Sequence, residues 1–327
     1  MKKLTVKALL PAALAMAATA SMVTNVAFAE FEPKKPVDFV IMAGPGGGAD
    51  KMARLMQTIV EKHDLSSKPF IPVNKPGGSG AEALVYLKGK TGDDHTIMVT
   101  LNSFYTTPLR QPGLGVKPDE FTPIARMAED TFLLWVHKDS GITNIDEFVA
   151  AAKAKGGDWI MAGTGKGQED QLLTDFLNKT YGLSMKYVPF KGGGRVAKEL
   201  AGKHADSTVN NPSEQLGFYQ AGDTVPIAAF TAERLEMFPD SPTFMEMGQP
   251  FEYYMQRSVV GAPGMSAEAT AYYQDVFSKV YESEEWQKYK KDKSLLGEYM
   301  TGDELKAYWE VESARNAEML REAGELK

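Results

Sequence analysis

Cysteine is absent from all 327 residues. Disulfide stabilisation, thiol catalysis and cysteine-ligated zinc are therefore excluded. Histidine is scarce: His63, His95, His137 and His204 stand singly, without the paired spacing that a metal site or proton relay needs. Each is expected in a loop or at the surface, and no metal is expected. The signatures G-x-S-x-G, H-E-x-x-H and S-x-x-K with K-T-G are missing as well, and with them the common hydrolase chemistries. Beyond residue 30 no apolar run approaches the roughly 18 residues of a membrane span. Positive charge is in deficit, with 36 Lys and Arg against 43 Asp and Glu, which argues against nucleic acid or an anionic membrane as partner.

What is present begins with an export signal. Lys2, Lys3 and Lys7 form a basic head, residues 8–23 are apolar or small, and Ala27-Phe28-Ala29 is a small-x-small cleavage pattern. Residues 1–29 thus read as a secretory signal peptide cut after Ala29. Pro11 and the alanine-rich run speak against a retained anchor, and no cysteine offers a lipid attachment site. Removal takes the formal charge from −7 to −10, because the segment carries three lysines and no acid. The mature protein is expected free in the periplasm, long enough for two domains.

The mature chain repeats one unit: apolar strand, glycine-rich loop, helix. Phe39–Met42 enters Ala43-Gly44-Pro45-Gly46-Gly47-Gly48-Ala49-Asp50, and Met52, Leu55, Met56, Ile59 and Val60 then make one helical stripe. Phe70–Val73 enters Asn74-Lys75-Pro76-Gly77-Gly78-Ser79-Gly80, and Thr96–Thr100 ends at Asn102-Ser103. The pattern restarts after Phe132–Val136, with Thr143 predicted to cap a helix. Trp159–Ala162 enters Gly163-Thr164-Gly165-Lys166-Gly167-Gln168, Met185–Val188 enters Pro189-Phe190-Lys191-Gly192, and Ser207–Val209 ends at Asn210-Asn211-Pro212. Alternating strands and helices predict an α/β fold with mostly parallel sheets, in which ligands sit beyond the carboxyl ends of the strands. Met52, Met56, Phe176 and Trp309 are expected in the core.

One such loop is only a tight turn. Several, each opening a helix and joined by polar Ser79, Thr164, Asn210 and Asn211, indicate an anion site, because a helix start offers unpaired N–H groups and a positive dipole end. A nicotinamide cofactor is disfavoured: Gly44-x-Gly46-x-x-Ala49 fits a relaxed dinucleotide fingerprint, but Asn74 stands where a ribose-binding acid belongs. No phosphate-binding GxxxxGK[ST] occurs, so no cofactor is expected. Glu169-Asp170 reads as a first-turn complement to a helix dipole in preference to an acid–base couple; in the cleft it would meet a hydroxyl or ammonium group. The rival reading is a periplasmic α/β enzyme acting on a small acid or ester, against which stands the missing nucleophile–base pair.

Taken together, these motifs resemble the substrate-binding proteins of tripartite tricarboxylate transporters, the TctC or Bug family. Pro45–Asp50 with Ala53-Arg54 resembles the family's first loop and Val73–Gly80 its second. Val188–Gly192, Val209–Glu214, Ser241–Phe244, Ala262–Gly264 and Thr301–Leu305 continue the match over nearly the whole mature chain. The resemblance implies a two-lobed Venus-flytrap binding protein of the type II kind, a monomer that hands a carboxylate to one large and one small membrane subunit. Residues 30–130 plus 257–327 would form one lobe and 131–256 the other. Pro45–Asp50, Pro76–Gly80 and Ser103 would hold the carboxylate; Thr164, Gly165, Lys166, Gln168, Lys191, Asn210 and Asn211 would read the far end. Gln168 and Gln171 stand where the family's second-lobe loop commonly carries Ser and His, and Lys166 is placed to pair with a second carboxylate.

Overall fold

The computed structural model describes residues 31–326, so the leader expected at residues 1–29 lies outside it. Three strand–loop–helix units open the chain: β1 (Val37–Ile41) to α1 (Gly48–Lys62), β2 (Phe70–Asn74) to α2 (Ala81–Lys88), and β3 (Thr96–Val99) to α3 (Ser103–Arg110). β4 (Thr122–Asp130) leads almost directly into β5 (Leu133–His137) and α4 (Ile145–Lys155). Three further units follow: β6 (Ile160–Gly163) to α5 (Glu169–Tyr181), β7 (Lys186–Pro189) to α6 (Gly193–Ala201), and β8 (Ser207–Asn210) to α7 (Pro212–Gln220). β9 (Thr224–Ala229), β10 (Met255–Gly261), α8 (Ala267–Glu282), α9 (Glu284–Asp292) and α10 (Gly302–Glu322) complete the chain.

The strands make two five-stranded sheets, ordered β2-β1-β3-β10-β4 and β7-β6-β8-β5-β9. Both are mixed. In the first, β10 runs antiparallel to β3 and β4; in the second, β5 runs antiparallel to β8 and β9. The reason lies in the crossings. β4 ends where the two lobes meet, so β5, entered two residues later, must start there and run away from it. β10 re-enters the first sheet under the same constraint, with Met255 opposite Asp130. The other strands preceding glycine loops all deliver their carboxyl ends to this boundary.

Sequence periodicity selects the buried faces. Met52, Met56, Ile59 and Val60 of α1 are buried, as are Ala83, Leu84 and Leu87 of α2, while Leu55 is half-buried. Met52, Met56 and Trp309 are core residues; Phe176 is only partly buried and stacks on Phe251 with ring centroids 3.9 Å apart. The cap of α4 is Asn144, not Thr143: its side chain accepts from the Glu147 N–H at 3.0 Å, whereas Thr143 donates to the Glu147 carboxylate. α8 and α10 pack on β4, and α10 also packs on α3. The segment between α9 and α10 pairs with β4 through Glu129–Leu296 and Arg126–Met300 bridges, shielding an edge that would otherwise be open.

Candidate functional site between the lobes

Six helix starts converge on the boundary between the sheets, and their backbone donors define its chemistry. In the first loop Asp50 is turned inward. Its carboxylate accepts from the Gly46 N–H at 2.9 Å, Asn74 Nδ2 at 3.0 Å and Arg54 Nε at 3.0 Å. Burial pushes its pKa up, but these hydrogen bonds outweigh that and hold it below the ordinary carboxylate range. Asn74 also donates to the Ala43 carbonyl, so the residue replacing a ribose-binding acid ties the first loop to β2. Ala49 is buried, and Pro45 and Gly46 are exposed.

The second loop is built differently. Glu82 accepts the Gly77 N–H at 3.1 Å. Gly78, Ser79 and Gly80 are all left-handed, with φ of +61°, +57° and +91°. The left-handed φ of Gly80 favours glycine there, and a Cβ would also lie 2.5 Å from Met42 Cε. The amides of Gly78, Ser79 and Gly80 donate to no acceptor among the described residues, while the Ser79 carbonyl is held by Thr107 Oγ1 at 2.6 Å. Pro76 is exposed beside them, and Ser103 lies behind, its Oγ 3.2 Å from the Gly80 Cβ position.

The second lobe presses acids onto the first. Glu214 Oε1 accepts the Gly48 N–H at 3.0 Å; beside that glycine lie Arg257 Nη2 and Ser213 Oγ, 3.0 and 3.2 Å from its Cβ position. The Glu169 carboxylate faces the backbone N–H groups of Asn102 and Ser103 at the start of α3. Asp170 accepts the Thr164 N–H at 2.7 Å. Burial raises the pKa values of Asp130, Glu169, Asp170 and Glu214; Asp170 reaches about 8, helped by repulsion from Glu169 and Glu214. Arg257, bonded to Asp130 at the crossing, is the one cation hydrogen-bonded into this group among the described residues.

The remaining expected contacts are distributed unevenly. Gly165 faces the second loop, its Cβ position 3.0 Å from Ser79 Oγ, with Gln168 Oε1 at 2.6 Å from the same point. Thr164 sits beside them, its carbonyl held by the Tyr187 hydroxyl. Lys166 is exposed; its carbonyl accepts from Arg110 Nη1 at 2.6 Å, and its ammonium lies 3.9 Å from Glu325. Lys191 is exposed. Asn210 donates to the Gly193 carbonyl and Asn211 to the Thr131 carbonyl, so both side chains are engaged in shaping the second lobe's loops and the crossing. Sequence reasoning assigned no role to Asp130, Ser213, Glu214 or Arg257. Cues existed: Pro212 and Glu214 are first-turn residues of a helix, and Arg257 is a charge leading into an apolar strand.

No group of three or more potential ligands that could hold a metal occurs among the described residues, and no helix there is long and apolar enough to cross a membrane. The four histidines are local: His95 accepts from the Lys34 N–H, His137 from the Asp139 N–H, His63 contacts Glu285, and His204 flanks Gly202.

Two mixed α/β lobes, crossed by two strands and meeting at strand-end loops, define a solute-binding protein of the flytrap class. The profile of the tripartite tricarboxylate transporter family receptor, TctC, matches residues 52–324, and the chain belongs to that family. BugT of Bordetella pertussis (strain Tohama I) is 24% identical over 240 residues, 71% of this chain and 72% of that protein. Among solved structures, R. palustris Rpa4515 with adipate superimposes with a TM-score of 0.83 at 23% identity, covering 89% of this chain and 98% of that one. The periplasmic binding protein BugD does so with a TM-score of 0.82 at 22% identity, covering 90% and 99%. These likenesses establish the fold, and the family is one of receptors.

Proposed function

We propose that the chain is exported, loses residues 1–29, and works in the periplasm as a monomeric, non-enzymatic receptor. It captures a small organic carboxylate and delivers it to one large and one small membrane subunit of a tripartite tricarboxylate-type transporter. Residues 30–130 with 257–327 form one lobe and residues 131–256 the other, closing about the crossings near 130 and 257. The solute carboxylate rests on the second loop, Pro76–Gly80, beside Ser103, with Gly47 and its neighbours from Pro45 to Asp50 forming the adjoining wall. Thr164, Gly165 and Gln168 approach from the opposite lobe.

One observation carries this reading: the Gly78, Ser79 and Gly80 amides have no acceptor among the described residues, and Ser79 Oγ lies 3.0 Å from the Gly165 Cβ position in the second lobe's loop. A charge-assisted hydrogen bond contributes about 1.5–3 kcal/mol. Three or four support roughly micromolar binding after ordering costs. The structural relative bound to adipate supports a carboxylate as the solute class.

A thermal-shift screen over organic acids tests it, since a ligand that binds the folded chain raises Tm once its concentration exceeds Kd. Gly47→Val supplies the control. Its backbone is extended, so valine is tolerated, but a Cβ there lies 3.4 Å from Glu214 Oε1 and its methyls crowd the start of α1. The variant is expected to melt normally and lose the ligand-induced shift. Full binding by Gly47→Val would place the solute elsewhere.

A further inference from the structure

The group where the lobes meet is short of positive charge. Glu169 and Glu214 reach it from the second lobe. Arg257, the cation bonded there, is already held by Asp130, itself only 1% exposed. Lys166 is turned to Glu325 and Lys191 lies at the surface. A solute carboxylate on the second loop adds negative charge beside these acids, and a second carboxylate would add more. Like charges brought together in a poorly solvated cleft oppose one another strongly.

A separate observation shows what is missing. Ser103 Oγ, fully buried at the start of α3, has no hydrogen-bond partner among the described residues. Glu169 Oε1, on a residue 4% exposed, also has none, and neither has Ser213 Oγ beside Gly48. Buried polar atoms in folded proteins are paired as a rule. An unpaired carboxylate oxygen needs a donor, and a serine hydroxyl can accept a second one. Ser103 links the two halves of the site, with its Oγ beside Gly80 and its N–H facing Glu169.

We propose that the solute is a zwitterion: its carboxylate rests on the Gly78–Gly80 amides, and a protonated nitrogen is taken by Glu169, with Ser103 completing its hydrogen bonds. Glu214 reinforces the negative field from the adjacent helix start. The proposal rests on the carboxylate-receptor reading and narrows it to acids that carry a cationic nitrogen. A protonated nitrogen supplies the absent donors and offsets the charge that the carboxylate brings in.

Titration calorimetry on the mature chain with matched solutes tests this. The probes are glutamate with glutarate, aspartate with succinate, γ-aminobutyrate with butyrate, and butylammonium alone. In at least one pair the aminated member is expected to bind at least about tenfold more tightly than its partner. Glu169→Gln, which keeps shape and removes charge, is expected to shrink that ratio about tenfold, weakening the aminated member and strengthening the other. Its unliganded melting temperature reports folding, and Glu214→Gln is the second variant, with a smaller change of the same sign. Acids that bind the unmodified chain with no pair favouring its aminated member overturn the proposal and leave the carboxylate reading intact. An unchanged ratio in both Gln variants also overturns it. Binding of butylammonium with no response to any acid refutes the carboxylate reading and leaves the cation subsite standing. Silence from every probe sinks both.

Discussion

Arg257 and Asp130 meet where the chain changes lobes, 3% and 1% exposed, with Arg257 Nε 3.2 Å from Asp130 Oδ2. Burial still drives the Asp130 pKa upward against the pull of Arg257. Such a pair matters most when halved, because the surviving charge has neither partner nor water. Arg257→Met is therefore expected to cost about 3–5 kcal/mol in urea unfolding, and Asp130→Asn added to it to recover most of the loss. Both residues stand in strands, and sequence alone assigns their pairing to nothing. Long cations behave differently. Lys166 and Lys191 are exposed, their flexible aliphatic stems carrying the charges to water. Glu214, on a shorter tether beneath the opposite lobe, has its outlet closed and binds the Gly48 amide instead.

Element by element, the glycine loops and the helices behind them were legible, because a 3.6-residue stripe and a run lacking Cβ atoms are local signals. Ends were less so: Thr143 and Asn144 are both capping residues, and only the backbone geometry selects Asn144. What joins elements far apart was not legible at all. The end of α3 and the chain terminus form a tie across the cleft. Arg110 donates to Glu325 Oε2 from Nε at 3.2 Å and Nη2 at 2.9 Å, and to the Lys166 carbonyl from Nη1. Gln171 donates to Glu325 Oε1 at 3.3 Å. Charged hydrogen bonds of this kind contribute about 1.5–3 kcal/mol. Arg110→Ala is accordingly expected to weaken solute binding about tenfold by releasing the closed form. Calorimetry checks the affinity, and an increased radius of gyration in X-ray scattering checks the opening.

For the whole molecule, closure and protonation are linked. Asp130, Glu169, Asp170 and Glu214 have pKa values raised by burial, and Asp170 lies at about 8. Groups of this kind bind more protons when buried than when solvated. The stability they lend is full below the ordinary carboxylate range and is lost as pH rises through their raised values. Arg257 and Lys51 act on Glu214 in the opposite sense. Glu169 and Glu214, which bond across the boundary, are thus expected to favour the unliganded closed form in acid and to lose that effect as pH rises. Scattering of the unliganded chain across that range measures it, and no expansion with rising pH would contradict the assignment of these acids to the lobe boundary.

By itself the sequence determined the kind of protein: no cysteine, four singly placed histidines, and α/β units whose glycine loops suit an anion. Those properties are local, written in composition and short-range spacing. Only the tertiary structure decided which amides are free and which are already bonded, that acids from one lobe cap the helix starts of the other, and that one buried arginine answers them. These depend on which groups lose contact with water together, and that is a property of the packed lobes, not of neighbours along the chain.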